Sequence, residues 1–209
     1  MTPEARLWLL ATAFASAFAI LATLVRSTRA LLPLDALSSP LRGRNVRAAA
    51  ILTRSGRALP LLVLAALSVA LFAILREPLW IPLAIFASQV VSQGVVESAL
   101  KHHVSRERPS DWVVKKERGF SFPSGHACTA FVFFGSWLVV ALVAIPDLGL
   151  RVVAGVSIGA WMFGIAWSRV ALAAHYISDV LGGALFGAAW TCATLALAIR
   201  AHVPLPWSG

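Results

Sequence analysis

Six long, uncharged apolar runs decide which solvent this chain can fold in. They cover 7–25, 58–75, 78–96, 127–146, 152–168 and 180–199, and charged residues or His126 separate them. A helix crossing a bilayer needs about 20 mostly apolar residues, which each run supplies with little extension. Composition agrees: 59% of the 209 residues are hydrophobic and 13% charged, against roughly 25% charged in soluble domains. A soluble globule of this size could not hide so much apolar surface, and a disordered chain would be polar. The fold class expected is all-α: an integral membrane bundle of six transmembrane helices, forming a single domain over 1–209. The first run is long for a signal peptide and lacks a small-residue cleavage site after it, so it is read as a span.

An even number of spans puts both termini on one side. Segments 26–57, 101–126 and 169–179 then share the other. Segment 26–57 holds seven Arg, two Pro and Leu31, Leu32, Leu34, Leu37 and Leu41 among polar residues. That pattern suggests an interfacial helix between the first two spans. The net charge of +9 sits in short loops between apolar runs, which fits anionic lipids or an anionic substrate better than nucleic acid. Cys128 and Cys192 lie in apolar runs without metal-type spacing and read as small core hydrophobes.

Ionisable residues at membrane depth are costly and mark functional sites by default. Three groups fall on the loop-rich side. Lys101 and Arg108-Pro109 are seven residues apart, nearly one helical face, and Pro109 disfavours helix at Arg108. A helix emerging from the third span could carry both cations to one point, or both could be head-group anchors. Pro123-Ser124-Gly125-His126 precedes the fourth span, where a helix start offers free N–H groups to an anion; it could equally be a plain cap. Ser168-Arg169 is followed by His175 and Asp179, which are spaced to share a helix face. A carboxylate on one imidazole nitrogen leaves the other free to attack, although such a pair can also be a surface ion pair. Together the groups provide three cations, a helix start and two His, the inventory for phosphoryl transfer through a phosphohistidine. No Gly-rich nucleotide loop, cysteine nucleophile or carboxylate cluster accompanies them.

The pattern K-x6-R-P, P-S-G-H and S-R-x5-H-x3-D resembles the three-part signature of the type 2 phosphatidic acid phosphatase superfamily, matching at every position within 101–179. The hydropathy plan is similar to that of its six-span bacterial lipid phosphatases. Gly119-Phe120-Ser121-Phe122 resembles the phosphatidylglycerophosphate and undecaprenyl diphosphate phosphatase branch. The resemblance implies that His175 is the nucleophile, Asp179 its orienting partner and His126 the general acid and base. It implies phosphate binding by Lys101, Arg108, Ser124, Gly125 and Arg169, with no metal and no cofactor. The implied substrate is a membrane lipid phosphate or diphosphate, with lipid A phosphatase, lipid phosphotransferase and an anion-binding transporter as alternatives. The oligomeric state stays open.

Glu97, His102, His103, Glu107 and Asp111 lie outside the signature and read as tuning local structure. Trp112 reads as an interfacial anchor. One tension remains. The active side carries 14 basic residues against four, Arg6, Arg76, Arg151 and Arg200, on the other, or 11 without Lys101, Arg108 and Arg169. The positive-inside rule therefore favours a cytoplasmic site, whereas the resemblance implies the periplasmic face of a bacterial inner membrane. Basic residues in 26–57 could instead serve anionic lipids.

Overall fold

A computed structural model describes residues 1–28, 31–110 and 117–203. Asp111 and Trp112, together with Arg29, Lys115 and Lys116 among the 14 basic residues of the active side, lie outside the described residues. Among those described, every regular element is helical. The six long helices are α1 (Pro3–Thr28), α3 (Ala58–Leu75), α4 (Trp80–Val104), α5 (Gly125–Ala144), α6 (Leu148–Ala171) and α7 (Ile177–Arg200), and all are long and apolar enough to cross a membrane. Between α1 and α3 lie a 3₁₀ helix (Pro33–Leu41) and α2 (Val46–Ser55). The protein is a multi-pass membrane protein.

Helix α3 shows why the spans form where they do. It is uncharged from end to end. Only Leu61 and Ala65 are buried against protein, while Leu59, Leu67 and Ile74 are exposed and suit lipid. By contrast, α5 is buried over half its length and forms the centre of the bundle. A membrane offers no hydrophobic drive between helices, so close approach relies on small residues. Helix α7 presents Gly183 and Gly187, one turn apart, to α5. A Cβ on Gly183 would strike the Ser124 carbonyl oxygen, and one on Gly187 would come within 2.9 Å of the Cys128 carbonyl oxygen. These glycines let the Ser124–His126 segment sit directly against the start of α7. The Ser124 N–H donates to the Asp179 carbonyl at 2.9 Å, fastening two of the three sequence groups together. Cys128 is buried and Cys192 half-buried, both with free thiols, as small apolar fillers would be.

The segment between α1 and α3 differs in detail from a single interfacial helix. Two prolines, at the start of the first piece and within it, suit a tight 3₁₀ turn better than an α-helix. Its polar side is turned inward: Asp35 and Ser38 are buried, whereas Leu31 and Leu37 are exposed. The Ile177 N–H donates to Ser38 Oγ at 3.1 Å, so the segment packs beneath the start of α7.

Candidate active site

The ends of α1, α4 and α6 and the starts of α5 and α7 meet at one end of the bundle, and all three sequence groups converge there. Helix α4 passes through a π turn at Val96–Leu100, a local widening frequent at functional sites, and delivers Lys101, 7% exposed. Its Nζ donates to Glu97 Oε1 at 2.7 Å. The helix stops at Val104 because Ser105 takes a left-handed conformation, φ 52°.

Arg108 thus lies beyond the helix, and the shared-face argument for Lys101 and Arg108 is corrected. An irregular, hydrogen-bonded loop brings Arg108 to the site. The Ser121 N–H donates to the Arg106 carbonyl at 2.8 Å, and Ser121 Oγ donates to the Glu107 carbonyl at 3.0 Å. Arg108 Nε donates to the Gly119 carbonyl at 3.0 Å.

Helix α6 ends in a chain reversal. The Ala174 N–H donates to the Arg169 carbonyl at 3.0 Å and the Ala173 N–H to the Val170 carbonyl at 2.9 Å. This is the Schellman pattern, with Ala173 rather than glycine in the left-handed position, φ 53°. The His175 N–H also reaches the Arg169 carbonyl, at 3.2 Å, so the reversal sets Arg169 and His175 side by side.

His175 precedes α7 instead of sitting on it, which corrects the helical pairing with Asp179. Asp179 lies in the first turn of α7, where Oδ2 accepts from the Tyr176 N–H at 2.9 Å and the carboxylate offsets the helix dipole. The same oxygen lies 3.5 Å from His175 Nδ1. Both residues are buried, so a surface ion pair is excluded.

Arg108 Nη1 lies 3.1 Å from His175 Nε2. A guanidinium has only donors, so Nε2 is the acceptor and the neutral ring carries its proton on Nδ1, facing Asp179. Burial first, then the neighbouring Arg169 and Arg108 charges, hold the His175 pKa well below its ordinary value, which keeps the ring neutral.

Glu117 had no sequence signal of its own. Its carboxylate bridges two arginines, accepting from Arg169 Nη2 at 2.5 Å and from Arg108 Nη1 at 3.2 Å. Burial raises its pKa, but the Arg169 and Arg108 guanidinium groups together bring it down to about 2. Arg169, 1% exposed, also donates through Nη1 to Thr53 on α2.

Four buried polar atoms at this point have no hydrogen-bond partner among the described residues: Ser124 Oγ, His126 Nε2, Arg169 Nε and His175 Nδ1. Ser124 stands at the cap position of α5 without making a side-chain cap. Gly125 adjoins Gln93 and Glu97, where a Cβ would meet Gln93 Nε2 at 2.7 Å. Two histidines outside the signature have partners of their own. His102 packs edge-on against Phe120, 5.5 Å between centroids, and Arg26 Nη1 donates to His103 Nε2 at 2.7 Å. No three His, Cys, Asp or Glu side chains group as a metal site among the described residues.

The model of the PAP2 superfamily matches residues 78–202, more than half of the chain and every signature residue. The chain belongs to the PAP2 superfamily. Among curated PAP2-like relatives, phosphatidylglycerophosphatase B of Bacillus subtilis is 34% identical over 98 residues, 44% of this chain and 46% of that protein. Lipid A 1-phosphatase of Rhizobium johnstonii is 32% identical over 119 residues, 52% of this chain and 44% of that protein. The chain thus spans about half the length of the curated relatives it matches. A crystal structure of a transmembrane PAP2-type phosphatidylglycerolphosphate phosphatase from Bacillus subtilis superposes with TM-score 0.74 over 93% of this chain and 97% of that one, at 23% identity. This shows that the two share the PAP2 membrane fold.

Proposed function

We propose that this protein is a metal-independent phosphatase of membrane lipid phosphates, working through a phosphohistidine. Three of the unpartnered atoms carry the reading. Buried polar groups are satisfied in the great majority of cases, and Ser124 Oγ, His126 Nε2 and Arg169 Nε can all bond a phosphoryl group. Arg108 and Arg169 already hold one oxyanion, the Glu117 carboxylate, and a phosphate would take its place. Lys101 supplies a third positive charge. Arg forks suit such oxygens and Lys adds a point charge.

When substrate enters, the Arg108 N–H on His175 Nε2 transfers to a phosphate oxygen and frees the nitrogen lone pair. His175 Nε2 attacks phosphorus, forming a P–N bond as the ester P–O bond breaks. Asp179 steadies the imidazolium that develops, and His126 gives its proton to the departing oxygen. Water, deprotonated by His126, then attacks phosphorus and breaks the P–N bond, releasing phosphate. An anion-binding transporter would need neither the His175–Asp179 pair nor His126.

Phosphatidylglycerophosphate and undecaprenyl diphosphate are the substrates we favour. The Gly119–Phe122 stretch supports both, and the similarity to phosphatidylglycerophosphatase B supports the first. Similarity to lipid A 1-phosphatases supports lipid A as the second reading. A polar chamber of about 930 Å³ beside the site, bordered by Arg26, His103, Arg106 and Arg108, has room for the rest of a head group.

Phosphate release by purified protein in detergent tests the reading, run on these three lipids and on phosphatidate. Turnover is expected to continue in excess chelator. Loss of turnover on chelation, restored by Mg²⁺ or Zn²⁺, would show that a metal takes part.

We place the site at the periplasmic face of a bacterial inner membrane, following the family resemblance over the charge bias. An impermeant thiol reagent added to intact spheroplasts should label a Ser110→Cys variant. Labelling only after lysis would reverse the orientation.

A further inference from the structure

The phosphate-binding cations do not include Arg106, although it stands two residues from Arg108 in the same loop. Its guanidinium serves the other side of the site. Nη1 donates to Asp179 Oδ1 at 2.7 Å and Nη2 to Asp35 Oδ2 at 2.6 Å. The Arg106 side chain is 9% exposed and both carboxylates are fully buried. The Tyr176 ring lies against the guanidinium, 4.5 Å from its centroid. Asp35 is itself held firmly. Its Oδ1 accepts from the Ser178 N–H at 3.0 Å and from Ser178 Oγ at 2.7 Å, and its Oδ2 accepts from the Leu32 N–H at 3.0 Å.

The two Asp179 oxygens are therefore divided. Oδ1 faces Arg106, and Oδ2 faces the Tyr176 N–H and His175 Nδ1. We propose that Arg106, braced by Asp35, is a positioning residue: it fixes the rotation of the Asp179 carboxylate so that Oδ2 meets His175 Nδ1. This rests on the reading of His175 as nucleophile.

The 3₁₀ segment that carries Asp35 has ties to the bundle besides Arg106. Asp35 and Ser38 already bond Ser178 and Ile177 at the start of α7. What Arg106 adds is the link from that anchored segment to the catalytic carboxylate. Burial opposes both charges in the Arg106–Asp35 pair, yet the Asp35 pKa lies below its ordinary value, held by Ser178 and Arg106, and the Arg106 pKa lies above its own, held by Asp179 and Asp35. The pair is fully ionised and has a fixed geometry.

A double-mutant cycle tests this, with kcat and KM measured for the wild type, Arg106→Gln, Asp179→Asn and the double variant on one lipid phosphate, and with His175→Ala as control. In metal sites, removing the outer partner that orients a histidine costs about 10–100-fold, and an effect of that order is expected here. Arg106→Gln should therefore lower kcat by about that factor and change KM less, because the Arg106 guanidinium is committed to Asp179 and Asp35 and only borders the head-group chamber. In the Asp179→Asn background the same change should cost under about threefold, since its target is already lost. Arg106→Lys should recover part of kcat. Equal fold losses in both backgrounds, or a loss confined to KM, would overturn the proposal.

If Arg106→Gln fails to fold, Asp35→Asn loosens the brace and keeps the cation. Its kcat loss should likewise vanish in the Asp179→Asn background, and persistence there would overturn the proposal. Turnover surviving in His175→Ala would overturn the nucleophile reading, and the positioning role with it. Inactive His175→Ala together with additive Arg106 effects would overturn the positioning role alone.

Discussion

His175→Ala is expected to abolish turnover of an alkyl lipid phosphate and of an aryl phosphate alike, whereas His126→Ala should keep more activity on the aryl substrate. The two histidines face different parts of the reaction. His175 supplies the lone pair that forms the P–N bond, and no neighbouring group in the site replaces it, so its loss removes the covalent route whatever the leaving group. His126 supplies a proton, and loss of a general acid costs about 10²–10⁴-fold. That cost shrinks when the departing oxygen is already a weak base, as an aryl oxide is. Acid quenching should trap a phosphoenzyme in wild type and not in His175→Ala. Asp179→Asn should retain a weakened nucleophile, because the ring keeps its nitrogen and loses its orienting charge. The depressed His175 pKa adds a pH criterion. The ring stays neutral below the ordinary histidine pKa of about 6.5, so any acid limb due to its protonation falls below that pH. Survival of His175→Ala on the aryl phosphate, with His126→Ala inactive, would exchange the two roles.

The second large effect is expected at Arg169. Arg169→Lys keeps the charge and loses the fork. In the native protein one terminal nitrogen is tied to Thr53, the other to Glu117, and Nε is buried without a partner among the described residues. An ammonium on a flexible stem cannot hold Thr53 and two phosphate oxygens together. Loss of one preorganised donor to a developing oxyanion costs about 10²–10³-fold in kcat, and Arg169→Lys should fall in that range. Vanadate inhibition should weaken in parallel, because a pentacoordinate oxyanion uses the same donors. A variant with near-native kcat and unchanged vanadate affinity would remove Arg169 from the phosphate site.

The sequence by itself determined the number of spans, most of their ends to within four residues and the eleven signature positions from Lys101 to Asp179; the third span runs on to Val104, eight residues past its apolar run. Hydropathy is nearly a local property, since the cost of placing each residue in lipid depends little on its neighbours, and the signature is a fixed local spacing. Chain paths were a different matter. The spacing of Lys101 and Arg108 suggested one helix face, and that of His175 and Asp179 another. A left-handed Ser105 ends α4 before Arg108, and a left-handed Ala173 closes α6 in a reversal that leaves His175 ahead of α7; neither position carries the glycine that would have signalled it.

The partners that complete the site were also decided in three dimensions. Arg106 meets Asp35 across 71 residues, Arg169 meets Thr53 across 116 and Glu117 meets Arg169 across 52. One faint trace was present: Asp35 is the only acidic residue in a segment with seven arginines. A lone carboxylate there can still be read as a surface charge until its partner is known. Burying a charge is favourable only when a specific counter-charge meets it with good geometry, and that meeting depends on how the loops close over the bundle. The close seat of Ser124 against α7 has the same origin, because Gly183 acts there through what it omits, a Cβ that would strike a particular carbonyl oxygen.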